Sequence, residues 1–123
     1  MTLFGYARAS ADQQRLDEQV EILKRAGVAQ ANIFSDSLKQ DQNERAGLDR
    51  LLGVVGFNDM VLVTRLDRLG RGLGDLIELL GRFGDKGVIV RFLEDDLSTE
   101  GAQGAMMIRV LAAAARTERL RVR

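Results

Sequence analysis

D-M-V-L-V-T-R-L-D-R-L-G-R, residues 59–71, sets four consecutive apolar residues directly before a cluster of three arginines. Met60 to Val63 has strand length and no polar alternation, which suits a strand buried on both faces of a parallel sheet. On either side the apolar period changes. Leu73, Leu76, Ile77, Leu80 and Phe83 recur at three- and four-residue spacing, an amphipathic helix ending before Gly87. Upstream, Leu48, Leu51, Leu52 and Val55 mark another helix, closed near Gly56.

The same alternation runs outward in both directions. Thr2 to Arg8, with Leu3, Phe4 and Tyr6, reads as a first strand. Leu16, Val20, Ile22, Leu23 and Ala26 then carry helical spacing up to Gly27, a residue type suited to the position just past a helix end. Ala31 to Phe34 reads as a short strand ending in Ser35 and Asp36, followed by a polar loop over 37–44. Val88 to Leu93 is a further strand, Glu94 to Glu100 an acidic loop, and Ala102 to the end one long helix. Strand and helix alternating in this way predict an α/β fold: a mainly parallel sheet flanked by helices, followed by a long C-terminal helix. Residues 1–101 form the expected core and 102–123 the start of that helix. In such sheets sites form beyond the carboxyl ends of the strands. Arg8, Ser10, Asp36 and the Arg65–Arg71 segment all fall at such ends.

Composition narrows the chemistry. A chain of 123 residues fits one domain, and it has no apolar run near the ~20 residues of a membrane span and no signal-peptide pattern. It has neither Cys nor His, so thiolate chemistry, the usual zinc ligands and the commonest general base are excluded. The formal net charge of zero conceals an asymmetry. Residues 103–123 carry five Arg against Glu118, while 1–102 carry 13 basic and 17 acidic residues. A basic end on a mildly acidic body is expected where that end approaches a polyanion. Fifteen of the 18 basic residues are Arg, the side chain that grips phosphate or carboxylate in a planar fork.

Two segments carry the candidate chemistry. Tyr6 to Ser10 reads Y-A-R-A-S, so Arg8 precedes Ser10 by two residues and shares its side of an extended chain. A serine there is most often a cap or loop residue. Beside an arginine it is also a candidate nucleophile, with Gln13 and Gln14 adding amide donors. In T-R-L-D-R-L-G-R, Arg65, Arg68 and Arg71 surround Asp67, which would orient an arginine or move a proton to a leaving oxygen. A solvated charge cluster is the bland alternative. Arg45 is a further phosphate candidate or else a surface residue at a helix start. Glu94, Asp95 and Asp96 give weak support to a metal or phospho-acceptor site, and no nucleotide-binding glycine motif is present. The last helix is apolar nearly all round at Ala105, Met106, Ile108, Val110, Leu111 and Ala112 to Ala115, so it is either a core helix or one that needs a second subunit as cover.

Y-A-R-A-S at 6–10, Q-Q-R-L-D-E-Q at 13–19, D-R-L-G-R at 67–71 and L-S-T-E-G at 97–101 together resemble the catalytic domain of the serine recombinases. The likeness is most of all to transposon resolvases of the gamma-delta type, with invertases sharing the pattern, and it runs through essentially the whole chain. The resemblance implies site-specific DNA cleavage and rejoining through a 5′-phosphoserine, without metal, ATP or other cofactor. It makes Ser10 the nucleophile, with Arg8, Arg68, Arg71 and Arg45 on the scissile phosphate and Asp67 serving an arginine or the leaving 3′ oxygen. Tyr6, Gln14, Gln19 and Asp36 become supporting residues. Arg65, Arg119, Arg121 and Arg123 become DNA-backbone contacts. The expected partners are DNA and further copies of the chain, a homodimer and a synaptic homotetramer joined through the last helix. The expected location is a bacterial cytoplasm, associated with the nucleoid and not with membrane. Ser37-Leu38-Lys39-Gln40 departs from the family's A-S-G-like stretch, with Lys39 an alternative phosphate contact, and Ala9 and Ala11 replace the usual Val and Thr. The family's helix-turn-helix DNA reader lies outside these 123 residues. The expectation is therefore a catalytic domain that binds DNA weakly by itself; the alternative is a catalytically poor oligomerisation module that regulates full-length recombinase.

Overall fold

The computed structural model describes residues 1–9, 12–37 and 45–121, with side chains as far as 118. Five strands form one sheet: β1 (Leu3–Ala9), β2 (Ile33–Ser37), β3 (Met60–Val63), β4 (Ile89–Phe92) and β5 (Leu97–Ser98). Their order across the sheet is β2-β1-β3-β4-β5, and only β5 runs antiparallel. Four helices connect or follow them: α1 (Gln13–Arg25), α2 (Ala46–Val54), α3 (Leu73–Asp85) and α4 (Gly101–Arg121). The α/β architecture read from the sequence is the one observed, with the run at Met60 to Val63 as a central strand.

β1 alternates faces and so divides the interior in two. Phe4 and Tyr6 join Val61, Val63, Val90 and Phe92 beneath Leu48, Leu51 and Leu52 of α2 and Leu76, Leu79, Leu80 and Phe83 of α3. Ala7 and Ala9 face the other way, under Leu16 and Leu23 of α1. The chain leaves β1 toward β2 on one side and leaves β3 toward β4 on the other, which puts the topological switch point between the carboxyl ends of β1 and β3. Arg8 stands there.

Local chemistry explains the element ends. Asp12 accepts the backbone N–H groups of Gln14 and Arg15 and caps α1, and Gly27 at φ +107° follows the helix in a conformation that L side chains rarely adopt. Several boundaries differ from the sequence reading. Gln30–Asn32 form a 3₁₀ turn that takes in Ala31 and Asn32, where the strand was expected to begin, and β2 runs on through Asp36 to Ser37, because hydrogen bonds to Asp36 hold the strand end in place. The acidic loop contains β5, too short to show a period of two. It is held by register to Arg91 and Phe92 and by the Thr99 hydroxyl accepting the Val90 N–H.

α2 presses closely on β2. A Cβ at Gly47 would lie 2.2 Å from the Ser35 carbonyl oxygen. Gly47→Ala should therefore destabilise the fold by about 2–3 kcal/mol, the usual scale of overpacking against backbone. Gly53→Ala, on the same helix with nothing within 4 Å, should gain about 0.5–1 kcal/mol. Urea unfolding of the two variants checks this, and equal effects would refute the close approach.

α4 is covered on one face only. Met107, Ile108 and Leu111 pack on the larger core, while Met106 and Val110 stand 53% and 58% exposed. Among the described residues no helix is long and apolar enough to cross a membrane.

Candidate active site

Arg8 is fixed at the end of β1 by side chain and backbone alike. Its Nη2 donates to the carbonyls of Asp67 at 2.7 Å and Gly70 at 2.8 Å, tying β1 to the segment after β3. Its backbone N–H donates to Gln19 Oε1 at 3.1 Å, and its carbonyl accepts from Gln19 Nε2 at 2.8 Å. The β1–β3 ladder ends earlier, at Tyr6 with Val63, so the amide of Gln19 takes the place of a neighbouring strand. Gln19 is a buried polar residue on the apolar face of α1 between Leu16 and Leu23. Gln19→Leu would leave both backbone groups of Arg8 unpaired and should cost about 2 kcal/mol of stability. Thermal unfolding measures it, and an unchanged midpoint would show that the strand end is held by something else.

The segment after β3 forms a 3₁₀ turn over Leu66–Arg68 and is anchored three ways. Leu69 is fully buried in the larger core, worth about 1.5–3 kcal/mol, and the Leu66 N–H donates to Asp95 Oδ2 at 2.7 Å. The third anchor is Arg8. A Cβ at Gly70 would meet backbone atoms of Leu76 at 2.7 Å, so only glycine lets the segment lie this close to α3. Asp67 stands between two arginines, 3.3 Å from Arg65 Nε and 3.8 Å from Arg68 Nε. Arg65 also reaches Glu94 at 3.7 Å. Among the described residues the arginines paired with Asp67 are Arg65 and Arg68, not Arg71.

Asp36 organises the third approach. Its Oδ1 accepts the Gly47 N–H at 2.8 Å, and its Oδ2 accepts the Leu48 N–H at 2.9 Å and the Tyr6 hydroxyl at 2.7 Å. It thus caps α2 from the end of β2, which sets the place of Arg45, the residue preceding that helix. Burial first, and then the hydrogen bond to Asp36, raise the Tyr6 hydroxyl far above its ordinary value, so it stays a neutral donor. Arg45 Nη1 meets Asp75 Oδ2 at 2.7 Å, and that hydrogen bond outweighs burial and strengthens the arginine's hold on its proton. The Arg8 guanidinium is shifted the other way. Burial leads, and repulsion from Arg71, Arg45 and Arg68 adds to it. Arg71, Arg45 and Arg68 thus all lie near enough to Arg8 for their charges to act on it.

The remaining sequence candidates lie around this cluster or beyond the described residues. Gln13 is occupied within α1, donating to Asp17 at 3.0 Å. Gln14, with Arg15, Gln19, Arg65, Arg68 and Glu94, borders an open groove of about 460 Å³ beside the cluster. Ser10, Ala11 and Lys39 lie outside the described residues, as do Arg123 and the side chains of Arg119 and Arg121. Sequence reasoning passed over Asp75 and Gly47, and took Asp95 only as part of an acidic run. Gly47 carried a legible signal, a glycine at the first turn of a helix; Asp95 carried none. Among the described residues no group of three or more acidic side chains is placed to hold a metal ion.

A mainly parallel α/β domain with arginines gathered at the carboxyl end of its first strand is the class that these observations define. Residues 3–123 match the family described as "Resolvase, N terminal domain". The chain is 48% identical over 122 residues to a resolvase/recombinase of Pseudomonas putida, covering 99% of this chain and 67% of that protein. It is 46% identical over 122 residues to the transposon Tn3 resolvase of Escherichia coli, covering 99% and 66%. The N-terminal catalytic domain of TP901-1 integrase superposes with a TM-score of 0.78 at 26% identity, covering 97% of each chain. The chain belongs to the resolvase family and spans about two thirds of the length of these curated relatives.

Proposed function

We propose that this chain is the catalytic domain of a site-specific DNA recombinase that works through a phosphoserine. One observation carries the reading: Arg45 from the start of α2, and Arg68 and Arg71 from the segment after β3, all come near enough to Arg8 at the carboxyl end of β1 to repel it, next in the chain to Ser10. Ser10 Oγ attacks the scissile phosphorus, forming a P–O ester to the 5′ side as the bond to the 3′ oxygen breaks. In balance the serine proton passes to the departing 3′ oxygen, which leaves as a hydroxyl. One phosphodiester replaces another, so rejoining is the same step in reverse with a new 3′ hydroxyl. The arginine forks neutralise the charge that grows on the phosphate oxygens. Arg8 is bound only through Nη2 among the described residues, which leaves the rest of its fork for phosphate.

The proposed assembly rests on α4. Its exposed Met106 and Val110 face is the surface for a second copy, and the basic residues after 115 continue toward DNA backbone. Residues 1–101 then serve as the catalytic core and 102–123 as the assembly helix. The test is whether the chain, joined to a DNA-binding module of known site, becomes attached to a duplex in denaturing gels. Folded, DNA-bound protein that never attaches would refute the reading.

A further inference from the structure

We infer that Asp75 is a positioning residue for the arginine site: its carboxylate sets where Arg45 stands and ties it to the segment carrying Arg68 and Arg71. The inference rests on the reading of that cluster as a phosphate site. Asp75 is the third residue of α3, and its Oδ2 accepts two hydrogen bonds. Arg45 Nη1 donates at 2.7 Å and the backbone N–H of Arg71 at 2.8 Å. Arg45 arrives from the start of α2 and Arg71 from the segment after β3, so one oxygen joins two arginines that the chain delivers separately.

Helix capping alone does not account for this arrangement. The α3 cap residue is Gly72, which has no side chain, so an acid in the first turn that accepts the Arg71 N–H is a sufficient reason for a carboxylate there. Capping gives no reason for Arg45, thirty residues earlier, to be drawn onto the same oxygen with the two side chains only 22% and 26% exposed. Burial works to raise the Asp75 carboxyl, but the hydrogen bonds from Arg45 and Arg71 and their charges outweigh it, and it remains ionised. The contact is through one nitrogen and not a two-pronged fork. Among the described residues Nε and Nη2 of Arg45 carry no hydrogen bond and remain to meet an anion, on a side chain whose freedom has already been reduced. Asp36 places the backbone of Arg45 and Asp75 its guanidinium.

The test compares Asp75→Asn, Arg45→Ala and the double variant in the chain joined to a DNA-binding module. Asp75→Asn keeps a neutral acceptor for the Arg71 N–H, so its melting temperature should stay within about 4 °C of the parent. Its covalent attachment to DNA should slow about ten-fold, as for loss of a group that orients a ligand side chain. The double variant should be no slower than Arg45→Ala, because Asp75 acts through Arg45. Effects that multiply would reduce Asp75 to a structural residue, and faster attachment would make it a restraint on Arg45; either overturns the inference. A second readout needs no cleavage. Arginine side-chain NMR of the 123-residue chain, titrated with inorganic phosphate, should show Arg45 responding, with affinity falling about ten-fold in Asp75→Asn. Equal phosphate affinity in the two proteins overturns the inference. An affinity loss without attachment in the parent retains it and sinks the recombinase reading instead.

Discussion

Ser10→Ala abolishes covalent attachment to DNA while leaving the fold and the self-association of the chain intact. The hydroxyl is the atom that becomes bonded to phosphorus, so its loss removes the step and does not merely slow it. The fold should be indifferent, because the strand that delivers Ser10 is secured by other groups. Ala9 is buried, Gln19 holds both backbone groups of Arg8, and Arg8 holds the Asp67 and Gly70 carbonyls. Denaturing gels read the attachment, and circular dichroism with light scattering reads the rest. An adduct that survives the change would remove Ser10 from the mechanism.

Arg68→Ala and Arg71→Ala should each slow attachment by about 10²–10³-fold, the scale of losing one preorganised donor to a developing anion. Both arginines repel Arg8, so each sits where an arriving phosphate relieves repulsion as well as gaining a donor. Lysine in either place would restore charge without the planar fork and should recover only part of the loss. Quenched time courses with saturating duplex separate this from weaker DNA binding. Unchanged rates in both alanine variants would reduce the cluster to a solvated surface.

Much of the scaffold is legible in the sequence because burial imposes periods. Met60 to Val63 has the length and composition of a strand with both faces covered, and Leu76, Leu80 and Phe83 declare the covered side of α3. The arginines are legible because they stand just past strand ends, and a parallel sheet gathers those ends along one edge. The groups that hold them are less visible. Asp36 is marked by its place at a strand end, but Asp75 and Asp95 work through hydrogen bonds to backbone or to a distant arginine, and no local pattern distinguishes them from exposed acids. β5 pairs by register over two residues, below any period a sequence can display. Gln19 is the intermediate case. A polar residue on an apolar helical face announces that something needs its hydrogen bonds, without saying that the partner is Arg8.

The central claim concerns which bond forms, so the most direct measurement locates it. The chain, joined to a DNA-binding module, is given duplexes labelled at one end or the other of the cleaved strand, and the adduct is digested for mass spectrometry. The account predicts that the 3′-end label migrates with protein, that the 5′-end label leaves on a fragment ending in a 3′ hydroxyl, and that the modified peptide carries phosphate on Ser10. A bond to the other side of the break, or to any residue but Ser10, would contradict it.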